Sequence, residues 1–331
     1  MDISVLILYN SIMDKYVDFA NNIKQSGEFN GEILLNEPMC KHTTFKIGGE
    51  VPVLFEPEDL DSLLILLLKI KNENIRFFVL GGGSNVVFCD ETFEGVVVSL
   101  LKLNKIEVVE SESISQDEVL ISCGAGATIS QLVNFCTKNA FSGCEQFAGL
   151  PGTVGGALFM NARCFDRSIS DLFVDAWYID LETYTEQHKT FNSKEWEYKV
   201  SPFQNDKTLI LNATFRLYKG KKTEEEITQD NKKYIQERKS KGHFDYPSAG
   251  SVFRNNHTFG SPSGKLIDEA GLRGTQCGGA QIAPFHGNFI INIGGATQKD
   301  VKTLVEIAVN RVREKFGFCL EPEIIFVDSK N

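Results

Sequence analysis

The sequence has no hydrophobic run of membrane-spanning length. Its longest aliphatic stretch, residues 63–68, ends at Lys69, far short of the roughly 20 residues a bilayer demands. Basic residues are also scarce. Against 44 Asp and Glu there are 34 Lys and Arg, a net charge of −10, unlike a protein that grips nucleic acid through a broad basic surface. The eight cysteines (40, 89, 123, 136, 144, 164, 277 and 319) are scattered and form no Cys-x-x-Cys pair. Neither a disulfide scaffold nor a zinc ribbon is indicated, and no metal is expected. The chain opens Met1-Asp2 without a basic n-region, so no signal peptide is expected. There is no internal repeat and no low-complexity segment. These absences predict a cytoplasmic, soluble protein with no nucleic-acid or membrane partner; a monomer or weak homo-oligomer is expected, though no motif sets that state.

What is present fits two or three domains. The chain has 331 residues, 42% hydrophobic and 24% charged, enough for a substantial core at roughly 150 residues per domain. Residues 1–35 read as a helical N-terminal extension centred on 13–23. An apolar helix is expected over about 58–71 after Pro57. Another is expected over about 129–140, with Thr128 as its N-cap and Gly143 past its end. Strands are expected near 172–180 and 208–217. The charged stretch 221–241 marks a boundary close to 222. Near the end, Val301, Leu304, Val305, Ala308, Val309 and Val312 fall on one 3.6-period face. Thr297 and Asp300 loosely fit a capping box there, Gly317 fits the stop, and Ile324-Ile325-Phe326-Val327 reads as a closing strand. Strands and helices mixed in this order predict α+β domains rather than one doubly wound sheet.

Two glycine loops carry the chemistry. Gly81-Gly82-Gly83-Ser84-Asn85-Val86 follows the apolar run Arg76-Phe77-Phe78-Val79-Leu80 and continues into Val87-Phe88. A Rossmann loop would open a helix there, and this one runs into a strand, so that reading fails. A nest of backbone N–H groups with Ser84 and Asn85 suits a diphosphate; a tight turn between strands is the plainer alternative. The second loop, Gly149-Leu150-Pro151-Gly152-Thr153-Val154-Gly155-Gly156, packs four glycines into eight residues. No Gly-Lys-Ser/Thr follows either loop, so neither is a P-loop. Together they suggest one dinucleotide held between two subdomains.

At these residues the sequence resembles the UDP-N-acetylenolpyruvoylglucosamine reductase (UDP-N-acetylmuramate dehydrogenase) family of flavoenzymes. The matching blocks span about 36–327. They include His42-Thr43-Thr44-Phe45-Lys46-Ile47-Gly48-Gly49, both glycine loops, Pro247-Ser248-Ala249-Gly250-Ser251-Val252-Phe253-Arg254-Asn255, Gly264-Lys265-Leu266-Ile267-Asp268-Glu269-Ala270-Gly271, and Leu320-Glu321-Pro322-Glu323. The resemblance implies an FAD-binding region of two α+β subdomains of the vanillyl-alcohol-oxidase type, at 36–115 and 116–221, and a substrate-binding domain at 222–331. It implies that Gly81, Gly82, Gly83, Ser84, Asn85, Val86, Gly149, Pro151, Gly152, Thr153, Gly155 and Gly156 bind FAD. No histidine or cysteine lies in a flavin-attachment motif, so that binding is expected to be non-covalent.

The implied reaction uses NADPH to reduce the flavin, which passes hydride from N5 to C3 of an enolpyruvyl UDP-sugar while a serine protonates C2. The implied proton donor is Ser251, with Glu323 beside the same carbon; Tyr198, Lys241, Asn255 and His286 take substrate-binding places. Strand 208–217 leads almost directly to the charged stretch, similar to the shorter family branch that lacks a substrate-clamping loop. Two departures stand out. The family's Tyr-Arg-x-Ser appears as Tyr198-Lys199-Val200-Ser201, so Lys199 stands at the arginine place without its planar fork. After Met160-Asn161-Ala162 comes Arg163-Cys164-Phe165-Asp166 rather than small residues, and Arg163 is a second candidate for the missing guanidinium.

Taken alone, each residue has a plainer reading: Ser251 as a turn serine, Glu323 as a solvated strand-edge acid, Lys199 as a surface lysine, His286 as a loop histidine. Two other functions therefore stay open beside the reductase: another FAD oxidase or dehydrogenase of the same superfamily, and a non-catalytic flavin or nucleotide-sugar binding protein.

Overall fold

The computed structural model describes residues 3–112 and 114–330. Met1 and Asp2 of the expected extension and Asn331 at the end of the last segment lie outside the described residues. Among its described residues the expected helical extension is helix over Ile3–Ser26, which presses Phe19 edge-on against Phe55 at 5.9 Å; its residues 31–35 are strand instead, because they pair with Glu50–Pro57. A first sheet orders its strands Gly31–Pro38, Glu50–Pro57, Val96–Ser99 and Phe77–Leu80. The outer pair is antiparallel and the rest parallel. Val96, Val97 and Val98 are fully buried in it, as the unbroken apolar run of a strand covered on both faces requires. The helix expected over 58–71 is Leu60–Asn72, started by the Asp59 carboxylate, which accepts the Ser62 N–H at 2.8 Å.

A second, antiparallel sheet orders Thr185–Thr190, Phe173–Asp180, Thr208–Lys219, Glu118–Gly124 and Ile106–Val109. The helix beside it, Ile129–Lys138, has the expected Thr128 cap in a complete capping box with Gln131. It stops sooner than expected. Ala140, at φ 53°, takes the left-handed step assigned to Gly143, and its N–H closes the turn on the Thr137 carbonyl at 3.0 Å. One continuous apolar core runs through both sheets, from Tyr16 to Leu217.

The third sheet orders Ser248–Ser251, Phe289–Asn292, Ala280–Ile282 and Gln276–Cys277 under the helix Gln298–Phe316. Here the capping box is complete: the Asp300 N–H donates to Thr297 Oγ1 at 3.1 Å, and the Thr297 N–H to Asp300 Oδ2 at 3.0 Å. Gly317 ends the helix at φ 77°. This region has its own core, which also draws in Phe45, Ile47 and Val87. The closing strand, Ile325–Val327, leaves the third sheet and pairs in parallel with Val86–Phe88. Gln298 locks that pair, its Nε2 donating to the carbonyls of Val87 at 2.9 Å and Val327 at 3.1 Å. Among the described residues no helix is long and apolar enough to cross a membrane.

Candidate active site

The first glycine loop is not a hairpin turn. The strand before it, Phe77–Leu80, pairs with Val96–Ser99, and the strand after it, Val86–Phe88, pairs with the end of the chain. The loop therefore crosses between two pairings, and it does so in contact with the second glycine loop. A Cβ on Gly81 would stand 2.6 Å from Thr153 Oγ1, and one on Gly82 2.6 Å from Gly152 Cα. One on Gly152, itself at φ 104°, would stand 2.7 Å from Ser84 Oγ. Only bare backbone fits this crossing. The N–H groups of Gly82, Gly83 and Ser84 are taken by no hydrogen bond among the described residues, so they remain as donors. Thr153 caps the short helix Val154–Phe159. Gly81 to Val86, Pro151, Gly152, Thr153, Gly155 and Gly156 all line one cleft of about 810 Å³. This glycine-walled cradle with free amide donors fits a dinucleotide diphosphate.

Ser251, Glu323 and Lys199 line the same cleft. Ser251 ends its strand opposite Phe289, just after Gly250 at φ 75°, and its hydroxyl has no partner among the described residues. Glu323 is fixed by its own backbone. Its N–H donates to the Val252 carbonyl at 2.7 Å, and its carbonyl accepts Asn85 Nδ2 at 3.1 Å. The last residue of the first glycine loop thus holds the acid, and the residue after Ser251 holds it from the other side.

Lys199 reaches Glu323 across 124 positions of sequence, Nζ lying 2.6 Å from Oε1. It sits at φ 60° in a turn closed between Glu197 and Val200. Asn161, just past the helix Val154–Phe159, clamps that turn by donating Nδ2 to the carbonyls of Glu197 at 2.8 Å and Val200 at 3.2 Å. Ser201 Oγ adds a bond to the Phe159 carbonyl at 2.8 Å. The first loop thus positions Glu323, and the segment just past the helix Val154–Phe159 positions Lys199.

Lys241 also lines the cleft, paired with Glu237 at 2.7 Å. So does Arg163, whose Nη1 donates to Ser168 Oγ at 3.2 Å rather than approaching Glu323. Four expected residues are not on the cleft wall. Gly149 backs onto Phe244 and Ile235, and Tyr198 packs on the His257 ring at 5.4 Å. Asn255 Oδ1 accepts the Ser263 N–H at 2.9 Å to start the helix Ser263–Glu269. His286 packs between His243, 6.1 Å away, and Phe289, 4.7 Å away.

Sequence reasoning missed two residues. Asn288 exchanges two hydrogen bonds with the Phe253 backbone, at 2.9 and 2.8 Å, fixing the chain just beyond Ser251. His243 lines the cleft, stacked on Phe289 at 4.9 Å. Burial, then the neighbouring Arg238, His286 and Lys241, push its pKa down to about 4. No motif marks either residue in the sequence.

Comparison with known proteins agrees with this geometry. An FAD binding domain model matches residues 51–180, and a model of the UDP-N-acetylenolpyruvoylglucosamine reductase C-terminal domain matches 242–327. Fold and cleft together define an FAD-dependent oxidoreductase. A UDP-N-acetylenolpyruvoylglucosamine reductase of Treponema denticola is 45% identical over 89% of this chain and 94% of its own length. One of Treponema pallidum is 38% identical over 88% and 92%. The crystal structure of the Thermus caldophilus enzyme covers 90% of this chain and 99% of its own, at 27% identity and a TM-score of 0.70. The chain belongs to the UDP-N-acetylenolpyruvoylglucosamine reductase family.

Proposed function

We propose that this protein reduces UDP-N-acetylglucosamine enolpyruvate to UDP-N-acetylmuramate with NADPH as reductant, a step of peptidoglycan precursor synthesis. The observation that carries the reading is the unpartnered Ser251 hydroxyl on one cleft wall with the enclosed Lys199–Glu323 pair. Gly81 to Val86 and Gly152 to Gly156 would hold FAD along the cleft, and the bound cofactor would supply the hydride for C3 of the enolpyruvyl group. Segments 36–115 and 116–221 serve as the cofactor-binding subdomains and 222–331 as the substrate-binding domain.

Ser251 donates its proton to C2. A serine hydroxyl is a weak acid, so it needs a strongly basic enolate and little competing water. Lys199 supplies the matching charge. One of its three N–H donors is used on Glu323, leaving two to stabilise the enolate oxygen as charge develops. Glu323 holds Lys199 in place and keeps its second oxygen for the substrate. Lys241 contributes positive charge toward the diphosphate. The lysine keeps the charge of an arginine at this place without its bidentate fork.

Purified FAD-loaded protein mixed with NADPH and the enolpyruvyl UDP-sugar should consume NADPH only when the sugar is present. Oxidation of NADPH that ignores the sugar contradicts the reading.

A further inference from the structure

A second cavity, of about 410 Å³, shares no lining residue with the cleft. Arg167, Lys221, Lys222, Tyr218, Tyr234 and Glu145 form most of its polar wall. Arg167 lies on the small hairpin Arg163–Cys164/Arg167–Ser168, whose other strand faces the cleft. Its guanidinium makes no hydrogen bond or ion pair among the described residues, and its Nε is wholly enclosed.

Among the lining residues the sole carboxylate, Glu145, is already used. Its Oε1 accepts from Lys222 at 2.9 Å and its Oε2 from the Gly143 N–H at 2.7 Å. Lys222 is also shared with Asp230 at 2.7 Å, and Lys221 lies 3.4 Å from Asp117 and 3.6 Å over the Tyr218 ring. Arg167 is therefore the uncompensated cation of the cavity. An enclosed Nε–H with no acceptor is unfavourable, and an anion entering the cavity beside this guanidinium would supply one.

We propose that this cavity binds a small phosphate group, with Arg167 as the fork and Lys221 and the tyrosine hydroxyls as further donors. The planar fork matches phosphate oxygens in pairs. With Lys222 paired to Glu145 and Asp230 and Lys221 to Asp117, Arg167 leaves one positive charge on the wall for an anion to meet. The site is distinct from the glycine-lined cleft and independent of what the cleft reduces.

Calorimetric titration of the full, FAD-loaded chain with inorganic phosphate, and separately with glucose 6-phosphate, tests this. Wild type should bind one equivalent. Arg167→Leu should weaken binding by about 10-fold or more, the expected loss of a charge-assisted hydrogen-bond pair. Arg167→Lys, which keeps the charge without the fork, should fall between. Lys241→Met, on the wall of the main cleft, should titrate like wild type. Tighter binding of the ester identifies an organic phosphate as the occupant, and tighter binding of inorganic phosphate identifies the free anion. The proposal is overturned by no binding to wild type, by equal affinity in Arg167→Leu, or by loss in Lys241→Met instead. Should the leucine variant fail to fold, unchanged affinity in Arg167→Lys overturns it.

Discussion

The Lys199–Glu323 pair can be tested by removing one charge and then both. The side chains are 15% and 7% exposed, with Nζ 2.6 Å from Oε1. Lys199→Met leaves the Glu323 carboxylate enclosed without its cation. Breaking a buried pair costs about 3–5 kcal/mol, and the residual exposure puts this one near the lower end, about 3 kcal/mol. At about 2 °C per kcal/mol for a chain of this size, Tm should fall by about 6 °C. Lys199→Met/Glu323→Gln removes both charges and should recover much of that loss, a coupling of about 2 kcal/mol. Scanning calorimetry of the four FAD-loaded proteins measures the cycle. Turnover gives the second readout: Lys199→Met should slow substrate reduction at unchanged flavin content, whereas Lys199→Arg should retain activity. Additive effects on Tm, with wild-type turnover in Lys199→Met, would refute the pairing argument and transfer the charge role to Arg163.

The glycine crossing and the cleft histidine give two further expectations. In Gly82→Ala the new Cβ would stand 2.6 Å from Gly152 Cα, whereas in Gly156→Ala it would meet only Thr153 Oγ1 at 3.5 Å. Overpacking of about 1–3 kcal/mol should cost Gly82→Ala about 5-fold or more in FAD affinity, and equal losses in the two variants would contradict the cradle. His243, held near 4 instead of 6.5, leaves the folded protein binding fewer protons than the unfolded chain in that window. Its contribution to stability is therefore complete above pH 6.5 and is lost as pH falls toward 4. Melting curves across the window should show a shallower loss in His243→Gln than in wild type, and parallel losses would remove His243 as a source.

Local signals were legible in the sequence. Thr297, Asp300 and Gly317 set both ends of their helix because a capping box and a left-handed stop need only neighbours in sequence. The glycine runs likewise suggested a nest of backbone N–H groups for one dinucleotide held between two subdomains. What they approach was not legible, because the Gly82–Gly152 crossing joins residues far apart in the chain. The pairing of Ile325–Val327 with Val86–Phe88 was hidden for the same reason, since alternation marks a strand but not its partner. Motif position singled out Ser251, Glu323 and Lys199, which line one cleft, yet gave no sign that Lys199 and Glu323 meet. It also did not reveal that Asn255 is engaged by the Ser263 N–H, away from the cleft wall. Asn288 and His243 went unnoticed because their roles rest on tertiary hydrogen bonds and burial alone.

The most direct test of the account separates its two half-reactions in Ser251→Ala. In the proposed reaction, reduction of the bound flavin by NADPH needs no proton from this serine, whereas completing substrate reduction does. Anaerobic stopped-flow traces should show flavin reduction near the wild-type rate and reoxidation by the enolpyruvyl sugar slowed by at least about 10²-fold, the lower end for a lost general acid. Because alanine removes only a hydroxyl, the loss should appear in rate rather than in substrate affinity. Equal slowing of both half-reactions would make Ser251 a structural turn residue, and reoxidation at the wild-type rate would place the proton donor elsewhere.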